Sequence, residues 1–237
     1  MPPFKFKKFS IVQEKSALKV GTDAMVFGAH IISEGHKHCL DIGTGTGVLS
    51  LMVAQKNPGL IVTAIEIDEC AIEDATLNFK NAVFNNSFHL IKNDYFSHVF
   101  NQKFDLIISN PPFFNDSFPS PEHGRKVARN FNTHFVDNFF FKSSDLITED
   151  GKLWIILPHN QVEYWDMIAS KHGFKLVRKC LIFGKPKKLI RSICVYTKES
   201  AILNFLEEYL CIRNLDGKYT QEYIELTSDF HDRIPIK

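Results

Sequence analysis

The chain has 237 residues, of which 44% are hydrophobic and 23% charged, and its formal net charge at pH 7 is +1. This composition, with no low-complexity linker or internal repeat, fits one compact domain, and a net charge so close to zero does not by itself indicate a nucleic-acid partner. The sequence has neither a stretch long enough to span a membrane nor a signal-peptide pattern, so we expect a soluble, cytoplasmic protein without a membrane partner.

The cysteines and histidines give no sign of a metal site. The sequence holds five cysteines without any Cys-x-x-Cys pair, and its ten histidines lack the spacing of metal ligands. We therefore expect reduced thiols in the core, no disulfides and no metal. The cysteines fall on predicted strands and helices, at Cys39, Cys70, Cys180, Cys194 and Cys211.

The first strongly patterned segment is a short apolar strand at residues 39–42, followed by a glycine turn and the start of an amphipathic helix. The glycines Gly43, Gly45 and Gly47 permit a sharp reversal and a close approach of a ligand to the backbone. Val48 stands where a dinucleotide fingerprint has Gly or Ala, and the Gly-Lys-Ser/Thr of a P-loop is absent. The pattern predicts a nucleotide-type loop, although a tight turn without a ligand would have the same sequence.

The second strand is predicted at residues 60–66 and ends in a carboxylate. Glu66 lies about 20 residues beyond the glycines, where this kind of fold holds the ribose diol of a cofactor. The alternative is a charge at the start of the following helix, which we predict from Asp68 to residue 82. Asp68 is the better candidate for the N-cap of that helix.

Two further predicted strands also end in polar side chains. Residues 88–92 lead to Asp94, which can accept a hydrogen bond from an adenine amino group or can simply form an Asx turn. Residues 104–109 lead to Asn110-Pro111-Pro112-Phe113. There the Asn110 side-chain oxygen and the Pro111 carbonyl can each accept one N–H of an exocyclic amine, while Phe113 stacks on the ring that bears it. Taken alone, Asn-Pro is also an ordinary turn dipeptide.

The later part of the chain alternates helical patterns with strands at residues 152–158, 174–183 and 190–197. Such alternation predicts crossover units and a parallel sheet, while the short connection at residues 184–188 requires antiparallel neighbours. The aromatic run Phe135-Val136-Asp137-Asn138-Phe139-Phe140-Phe141 is predicted to be a buried helix face. Residues 201–215 are ambiguous between helix and strand.

Together, Asp41-x-Gly43-x-Gly45-x-Gly47, the two acidic strand ends and the Asn-Pro-Pro-Phe turn resemble the class I S-adenosylmethionine-dependent methyltransferases that act on amino groups. The resemblance covers residues 17–198. It implies an α/β, Rossmann-like fold with a seven-stranded, mostly parallel sheet, helices on both faces and an antiparallel last strand. The aromatic start of the chain and residues 217–230 are similar to bacterial tRNA (adenine-N6)-methyltransferases that modify the adenine 3′ to the anticodon of a valine tRNA.

This resemblance implies S-adenosyl-L-methionine as cofactor, tRNA as partner and a monomer. It also implies one methyltransferase domain over residues 1–237, with a lid segment (1–33), a catalytic core (34–198) and an extension packed on the core (199–237). Lys19 and Thr22 are expected to face the cofactor's carboxylate and Asp41 its ammonium, although Thr22 or Asp23 equally fits the cap of a helix at residues 22–33. The expected cofactor contacts are Lys19, Thr22, Asp41, Gly43, Gly45, Gly47, Glu66, Ile67, Asp94 and Asn110.

The expected catalytic residues are Asn110, Pro111 and Phe113. Basic residues near the turn and in the late hairpin are expected to contact RNA phosphates, and their alternative role is that of solvated surface charge. The expected substrate contacts are Pro112, Phe114, Arg125, Lys126, Arg129, Lys187 and Lys188, with Lys185 and Arg191 as further candidates.

Other functions use the same turn. A glutamine-N5 protein methyltransferase would favour Tyr after the two prolines and would carry an N-terminal helical domain. A guanine-N2 ribosomal RNA methyltransferase usually has a second methyltransferase-like domain. A non-catalytic binding module of the same fold is the remaining alternative.

Overall fold

The computed structural model describes residues 2–112, 122–198 and 204–232. The strands are β1 (Phe4–Lys5), β2 (Ser10–Ile11), β3 (His38–Ile42), β4 (Ile61–Glu66), β5 (Phe88–Lys92), β6 (Phe104–Ser109), β7 (Ile147–Pro158), β8 (Lys175–Lys185), β9 (Lys188–Thr197) and β10 (Leu206–Cys211). The helices are α1 (Thr22–His30), α2 (Val48–Lys56), α3 (Glu69–Lys80), α4 (Glu122–Leu146), α5 (Val162–Lys171) and α6 (Gln221–Thr227), with a short 3-10 helix at His159–Gln161.

Most strands belong to one sheet, in the order β10-β8-β9-β7-β6-β3-β4-β5. Neighbouring strands run parallel except where β9 pairs with β7 and with β8. The predicted α/β fold with a mostly parallel sheet is confirmed, and β9, the last of the seven predicted strands, is antiparallel as expected. β1 and β2 form a separate antiparallel pair.

The sheet has eight strands instead of the predicted seven. The additional strand, β10, pairs in parallel with β8. Residues 201–215 are ambiguous in sequence because β10 is the outermost strand of the sheet. It buries few side chains, so apolar and polar residues alternate only weakly along it. Leu210 is buried there, while Leu206 and Tyr209 remain 48% and 65% exposed.

One strand boundary also differs from the prediction by several residues. β7 begins at Ile147 rather than at residue 152, because its pairing with β6 shifts register between Phe104 and Leu106 and so accommodates the turn-like Asp150-Gly151. The β8–β9 connection is the expected hairpin, and Lys185 pairs with Lys188 across its turn.

Apolar side chains pack on both faces of the sheet. α1 and α2 cover one face, where Phe27 is buried, and α4 and α5 cover the other. In α4, Phe139 and Phe140 are buried while Phe141 is 58% exposed. The rings of Phe140 and Trp165 lie 5.9 Å apart, centroid to centroid, between α4 and α5. The aromatic run is therefore a buried helix face, as predicted.

The cysteines are free thiols, as predicted, but one of them lies outside the core. Cys39, Cys180 and Cys194 are buried and Cys211 is partly buried, whereas Cys70 is exposed. Cys70 lies on the outer side of α3 because Ala71 and other residues turn inward from that helix.

Two properties of the described residues concern membranes and metal ions. None of the helices in this part of the chain is long and apolar enough to cross a membrane. The same residues contain no cluster of three or more His, Cys, Asp or Glu side chains arranged to hold a metal ion.

Candidate active site

Four parallel strands bring the predicted site segments to one edge of the sheet. β6, β3, β4 and β5 are consecutive neighbours, so their carboxyl ends lie together. The glycine loop (residues 43–47) follows β3, Glu66 ends β4, Asp94 follows β5 and Asn110 follows β6. The strand order reverses between β3 and β6, and in an open α/β sheet ligands bind at such a reversal. The glycine loop and Asn110 flank it.

The glycine loop needs its glycines for conformation and, at one position, for space. Gly43, Gly45 and Gly47 have φ of 69°, 57° and 80°, a region that L side chains rarely adopt. A Cβ on Gly47 would lie 2.5 Å from a ring carbon of Phe79, so this residue also allows α3 to pack closely. A Cβ on Gly43 or Gly45 would meet no atom within 4 Å. This side of the loop is therefore open to a ligand.

Glu66 fastens the glycine loop to the end of β4. Its Oε2 accepts a hydrogen bond from Gly45 N at 2.9 Å, and its Oε1 accepts from Ile67 N at 2.8 Å and Asp68 N at 2.9 Å. Oε2 retains acceptor capacity for a hydroxyl donor. The predicted N-cap is confirmed, since Asp68 Oδ1 accepts from Ala71 N at 2.7 Å. Ile67 is 67% exposed beside this carboxylate.

Asp41 is a fully buried carboxylate at the end of β3. Its Oδ2 accepts hydrogen bonds from Thr44 Oγ1 and Ser50 Oγ, each at 2.7 Å. Its Oδ1 is buried and has no partner among the described residues. Burial raises the pKa of Asp41 to about 6, although the two hydroxyl hydrogen bonds oppose this shift. Asp41 Oδ1 can therefore accept a hydrogen bond, or pair with a cation, that the described residues do not supply.

Asp94 forms the local turn that was the alternative to a ligand contact. Its Oδ1 accepts a hydrogen bond from Phe96 N at 3.0 Å, an Asx-type arrangement. Lys142 of α4 holds the same loop through Phe96 O at 3.0 Å and His98 O at 2.5 Å. Asp94 is partly buried and follows the carboxyl end of β5, as expected. The turn fixes its position through Oδ1 alone and leaves Oδ2 able to accept a further hydrogen bond.

The acceptor turn follows β6 directly. The Ser109 hydroxyl donates to Ile42 O at 2.9 Å and so ties the end of β6 to the end of β3. Asn110 is partly buried, and its Oδ1 is buried without a partner among the described residues. Pro111 is buried and Pro112 exposed. Phe113 and Phe114 lie outside the described residues.

Lys19 does not project freely toward the glycine loop. Its ammonium donates to Gln13 O at 2.5 Å and Ser16 O at 2.7 Å, so it holds together the backbone of its own segment. The expectation that Lys19 faces a cofactor carboxylate therefore lacks support from its position. A lysine that satisfies nearby carbonyl groups has the same sequence signature as one that binds an anion.

The start of α1 also differs from the capping alternative. Gly21 is the N-cap residue and provides no side-chain hydrogen bond, so neither Thr22 nor Asp23 caps the helix. Thr22 is exposed. Asp23 Oδ2 instead accepts from Arg191 Nε of β9 at 2.9 Å. Arg191 is thus engaged in an ion pair that holds α1 against the sheet.

The hairpin lysines lie at the same edge of the sheet as the acceptor turn. β8 runs parallel to β6, and Lys185, Lys187 and Lys188 are all exposed at the β8–β9 turn. Through the strand pairing, Ser109 at the end of β6 is level with Lys179 of β8. The turn therefore lies three strand spacings, roughly 14 Å, to the side of the end of β6 and about six residues, roughly 20 Å, beyond it. The side chains of Arg125, Lys126 and Arg129 lie outside the described part of the chain.

The sequence prediction missed several polar residues that shape this site. Thr44 and Ser50 hold Asp41, and Asp74 and Asn78 of α3 bind the backbone of residues 12–16. One signal in the sequence points to the last two. They are spaced four apart on the same helix face as Ala71 and Ala75, so two polar residues interrupt an inward apolar face.

Comparison with known proteins identifies the type of protein that shares these features. The profile of the methyltransferase small domain family matches residues 12–178. A tRNA1(Val) (adenine(37)-N6)-methyltransferase from Vibrio vulnificus is 34% identical over 228 residues, which is 96% of this chain and 95% of the relative. Its namesake from Bacteroides thetaiotaomicron is 32% identical over 235 residues, or 97% of each chain.

Solved structures share the fold at lower identity. A predicted O-methyltransferase from Agrobacterium tumefaciens has a TM-score of 0.69 at 17% identity and covers 88% of this chain and 96% of its own. A methyltransferase from Pyrococcus furiosus has a TM-score of 0.59 at 22% identity and covers 81% and 89%, respectively. These likenesses cover most of the chain and concern the fold alone.

Proposed function

The chain belongs to the methyltransferase small domain family and to the tRNA1(Val) (adenine(37)-N6)-methyltransferases within it, and we propose that it methylates N6 of adenine 37 in tRNA1(Val) with S-adenosylmethionine. One observation supports this most directly. The unpartnered Asn110 Oδ1 and the open glycine loop flank the strand reversal between β3 and β6. An acceptor for an amino group and a site for a nucleotide-like cofactor thus lie side by side.

The residues around the glycine loop fit the cofactor. Asp41 Oδ1 is a buried acceptor without a partner among the described residues, and an unpaired buried polar group costs about 1–3 kcal/mol, which a ligand ammonium would offset. The spare acceptor capacity of Glu66 suits a ribose hydroxyl, and exposed Ile67 suits one face of adenine. Asp94 would accept from the adenine amino group. Thr22, next to the uncapped start of α1, remains the candidate for the carboxylate.

The chemistry depends on orientation rather than on acid or base catalysis. When bound, the cofactor supplies an electrophilic methyl group on its sulfonium. Asn110 Oδ1 and the Pro111 carbonyl accept the two amino hydrogens of the target adenine, which favours a pyramidal nitrogen whose lone pair can attack. We infer that Phe113 stacks on the base and that Pro112 and Phe114 contact the substrate. Fixing the reacting groups at about 3–3.5 Å can supply roughly 7–11 kcal/mol of the barrier. The surplus proton leaves to water.

The target base must leave the stack of the anticodon loop to reach this turn, as enzymes that act on bases require. We infer that exposed Lys185, Lys187 and Lys188 contact tRNA phosphates at a distance from the extruded nucleotide, and that Arg125, Lys126 and Arg129 of the segment after the turn contact phosphates as well. Arg191 takes a different role, because it is paired with Asp23. Since the motifs meet within one chain, we infer that a single-domain monomer is sufficient, and its tRNA substrate favours a cytoplasmic enzyme.

Changing Lys185, Lys187 and Lys188 together to Gln is expected to raise the KM for tRNA by about tenfold at physiological salt, with kcat and cofactor affinity unchanged. The loss of up to three phosphate contacts should also make the plot of log affinity against log salt less steep by about 2. Steady-state kinetics measure KM and kcat, and filter binding at several salt concentrations measures the slope.

A matched control is available at the opposite edge of the sheet. Lys37, Lys103 and Lys175 are exposed at the amino ends of β3, β6 and β8. Their triple change to Gln removes the same charge and should leave tRNA affinity unaltered. Equal effects of the two triple variants would show that the hairpin makes no specific contact.

The function is tested by incubating the purified protein with methyl-labelled S-adenosylmethionine and, separately, total tRNA, ribosomal RNA and release factors. We expect label in tRNA, recovered as N6-methyladenine at position 37. Label in ribosomal RNA as N2-methylguanine, or in a release-factor glutamine, would support the alternative enzymes. Cofactor binding without transfer to any of these substrates would favour a binding module.

A further inference from the structure

The inward face of α3 carries two polar residues whose partners lie in the N-terminal part of the chain. Asp74 and Asn78 are each 1% exposed. Side chains buried to this degree are normally hydrogen-bonded, and these two bind the backbone of residues 12–16. We call residues 12–20, which lead directly into Gly21 and Thr22, the 12–20 loop.

Asn78 connects the 12–20 loop with the glycine loop. Its Oδ1 accepts from Val12 N at 2.7 Å, and its Nδ2 donates to Val12 O and to Thr46 O, each at 2.8 Å. The amide thus pairs with Val12 as a neighbouring strand would and uses its second N–H for the glycine loop. One side chain fixes the distance between the two loops.

Asp74 holds the next turn of the 12–20 loop. Its Oδ2 accepts from Lys15 N at 3.0 Å and Ser16 N at 2.8 Å. Within the loop, Lys19 Nζ donates to Gln13 O and Ser16 O, and Gln13 Oε1 accepts from Val20 N at 2.7 Å. The loop is therefore an internally bonded unit that α3 anchors at Val12, Lys15 and Ser16.

We propose that Asp74 and Asn78 are positioning residues that hold the 12–20 loop against the glycine loop in the arrangement that binds S-adenosylmethionine, an inference that rests on the proposed function. They act through the backbone they hold and do not touch the reacting atoms. Without them, the loop spends less time in the binding arrangement, and an apparent Kd rises in proportion to that loss. Once the cofactor is bound, turnover depends on Asn110, which follows β6 and lies outside α3.

The test compares variants of α3 by calorimetric titration with S-adenosylhomocysteine and by steady-state kinetics with tRNA. Asp74→Ala and Asn78→Ala are expected to raise the Kd by about tenfold or more, while kcat at saturating cofactor stays within about threefold. Asp74→Asn keeps an acceptor oxygen and should restore most of the affinity. Thr76→Ala is the matched control, because Thr76 lies on the exposed face of α3 and its hydroxyl bonds to Ile72 O.

If the two residues are purely structural, their substitution should lower the melting temperature but leave the Kd of the folded variants within about twofold of that of the unaltered protein. That result would overturn the inference. If the α3 variants do not fold, Gln13→Ala changes the 12–20 loop while leaving α3 intact, and an unchanged Kd in that variant would overturn it equally. Absence of binding by the unaltered protein would instead overturn the proposed function, and this inference with it.

Discussion

Replacing Asn110 by Ala is expected to lower kcat for methyl transfer by about 10²–10³-fold, the loss typical when one polar group that serves the transition state is removed. The reason is that Asn110 Oδ1 is a preformed acceptor, buried and without a partner among the described residues, at the carboxyl end of β6. The carbonyl of Pro111 remains in the variant, so the target amine is held by one acceptor instead of two. Single-turnover kinetics with saturating enzyme measure this step directly.

The same change should leave cofactor affinity within about threefold, since Asp41, Glu66 and the glycine loop are untouched. Asn101→Ala is a suitable control, because Asn101 is exposed and lies just before the amino end of β6, far from the acceptor turn. Equal losses in kcat and in affinity for S-adenosylhomocysteine would mean that Asn110 builds the pocket instead of orienting the amine. An Asn110→Ala variant with unimpaired turnover would remove this residue from the mechanism.

Features determined by local sequence were predictable. The glycine spacing requires positive φ values, the Asp68 side chain caps the helix that follows it, and a short connection between two strands forces a hairpin. The positions of Glu66 and Asn110 follow from the same logic, because parallel strands deliver their carboxyl ends to one edge of the sheet. These rules hold regardless of what packs around them.

Features determined by contacts between distant segments were not predictable. Asn78 binds Val12 across 66 positions of the chain. Its place on an otherwise apolar helix face marks Asn78 as an inward polar residue, but nothing in either local sequence indicates its partner. The local bonds of Lys19 could not be predicted for a related reason, since its ammonium donates to carbonyl groups that converge only when the 12–20 loop folds on α3. The edge strand β10 escaped prediction because half-exposed strands bury too few side chains to produce a clear pattern.

Changing Asp41 to Asn is expected to alter both stability and binding as a function of pH. The pKa of Asp41 is raised by burial to about 6 in the folded protein, from an ordinary value of 3.8. The folded state therefore binds a proton more tightly than the unfolded state. The stability that this group contributes is fully present below pH 3.8 and is lost as pH rises through 6. The loss amounts to about 3 kcal/mol, since each pKa unit corresponds to about 1.36 kcal/mol.

Urea unfolding without cofactor, at intervals from pH 4 to 7, measures this loss. The difference in unfolding free energy between the unaltered protein and Asp41→Asn should fall by about 2.4 kcal/mol over that range, because a small part of the loss precedes pH 4 and the amide does not titrate. A difference that stays constant with pH would mean that Asp41 is already ionised in the folded protein at pH 4. The isosteric change retains an oxygen for the Thr44 and Ser50 hydroxyls, so the network around it is preserved.

Cofactor binding should reverse the effect of pH, because an ammonium beside Asp41 Oδ1 stabilises the ionised carboxylate. In the unaltered protein, affinity for S-adenosylhomocysteine is expected to rise as pH increases from 5 to 7, whereas in Asp41→Asn it should be about 100-fold weaker and nearly independent of pH. The buried charge is thus unfavourable until the ligand pairs with it, and this explains why a carboxylate that destabilises the free protein stands at the end of β3. If affinity depended on pH in the same way in both proteins, the ammonium would have to bind a partner other than Asp41.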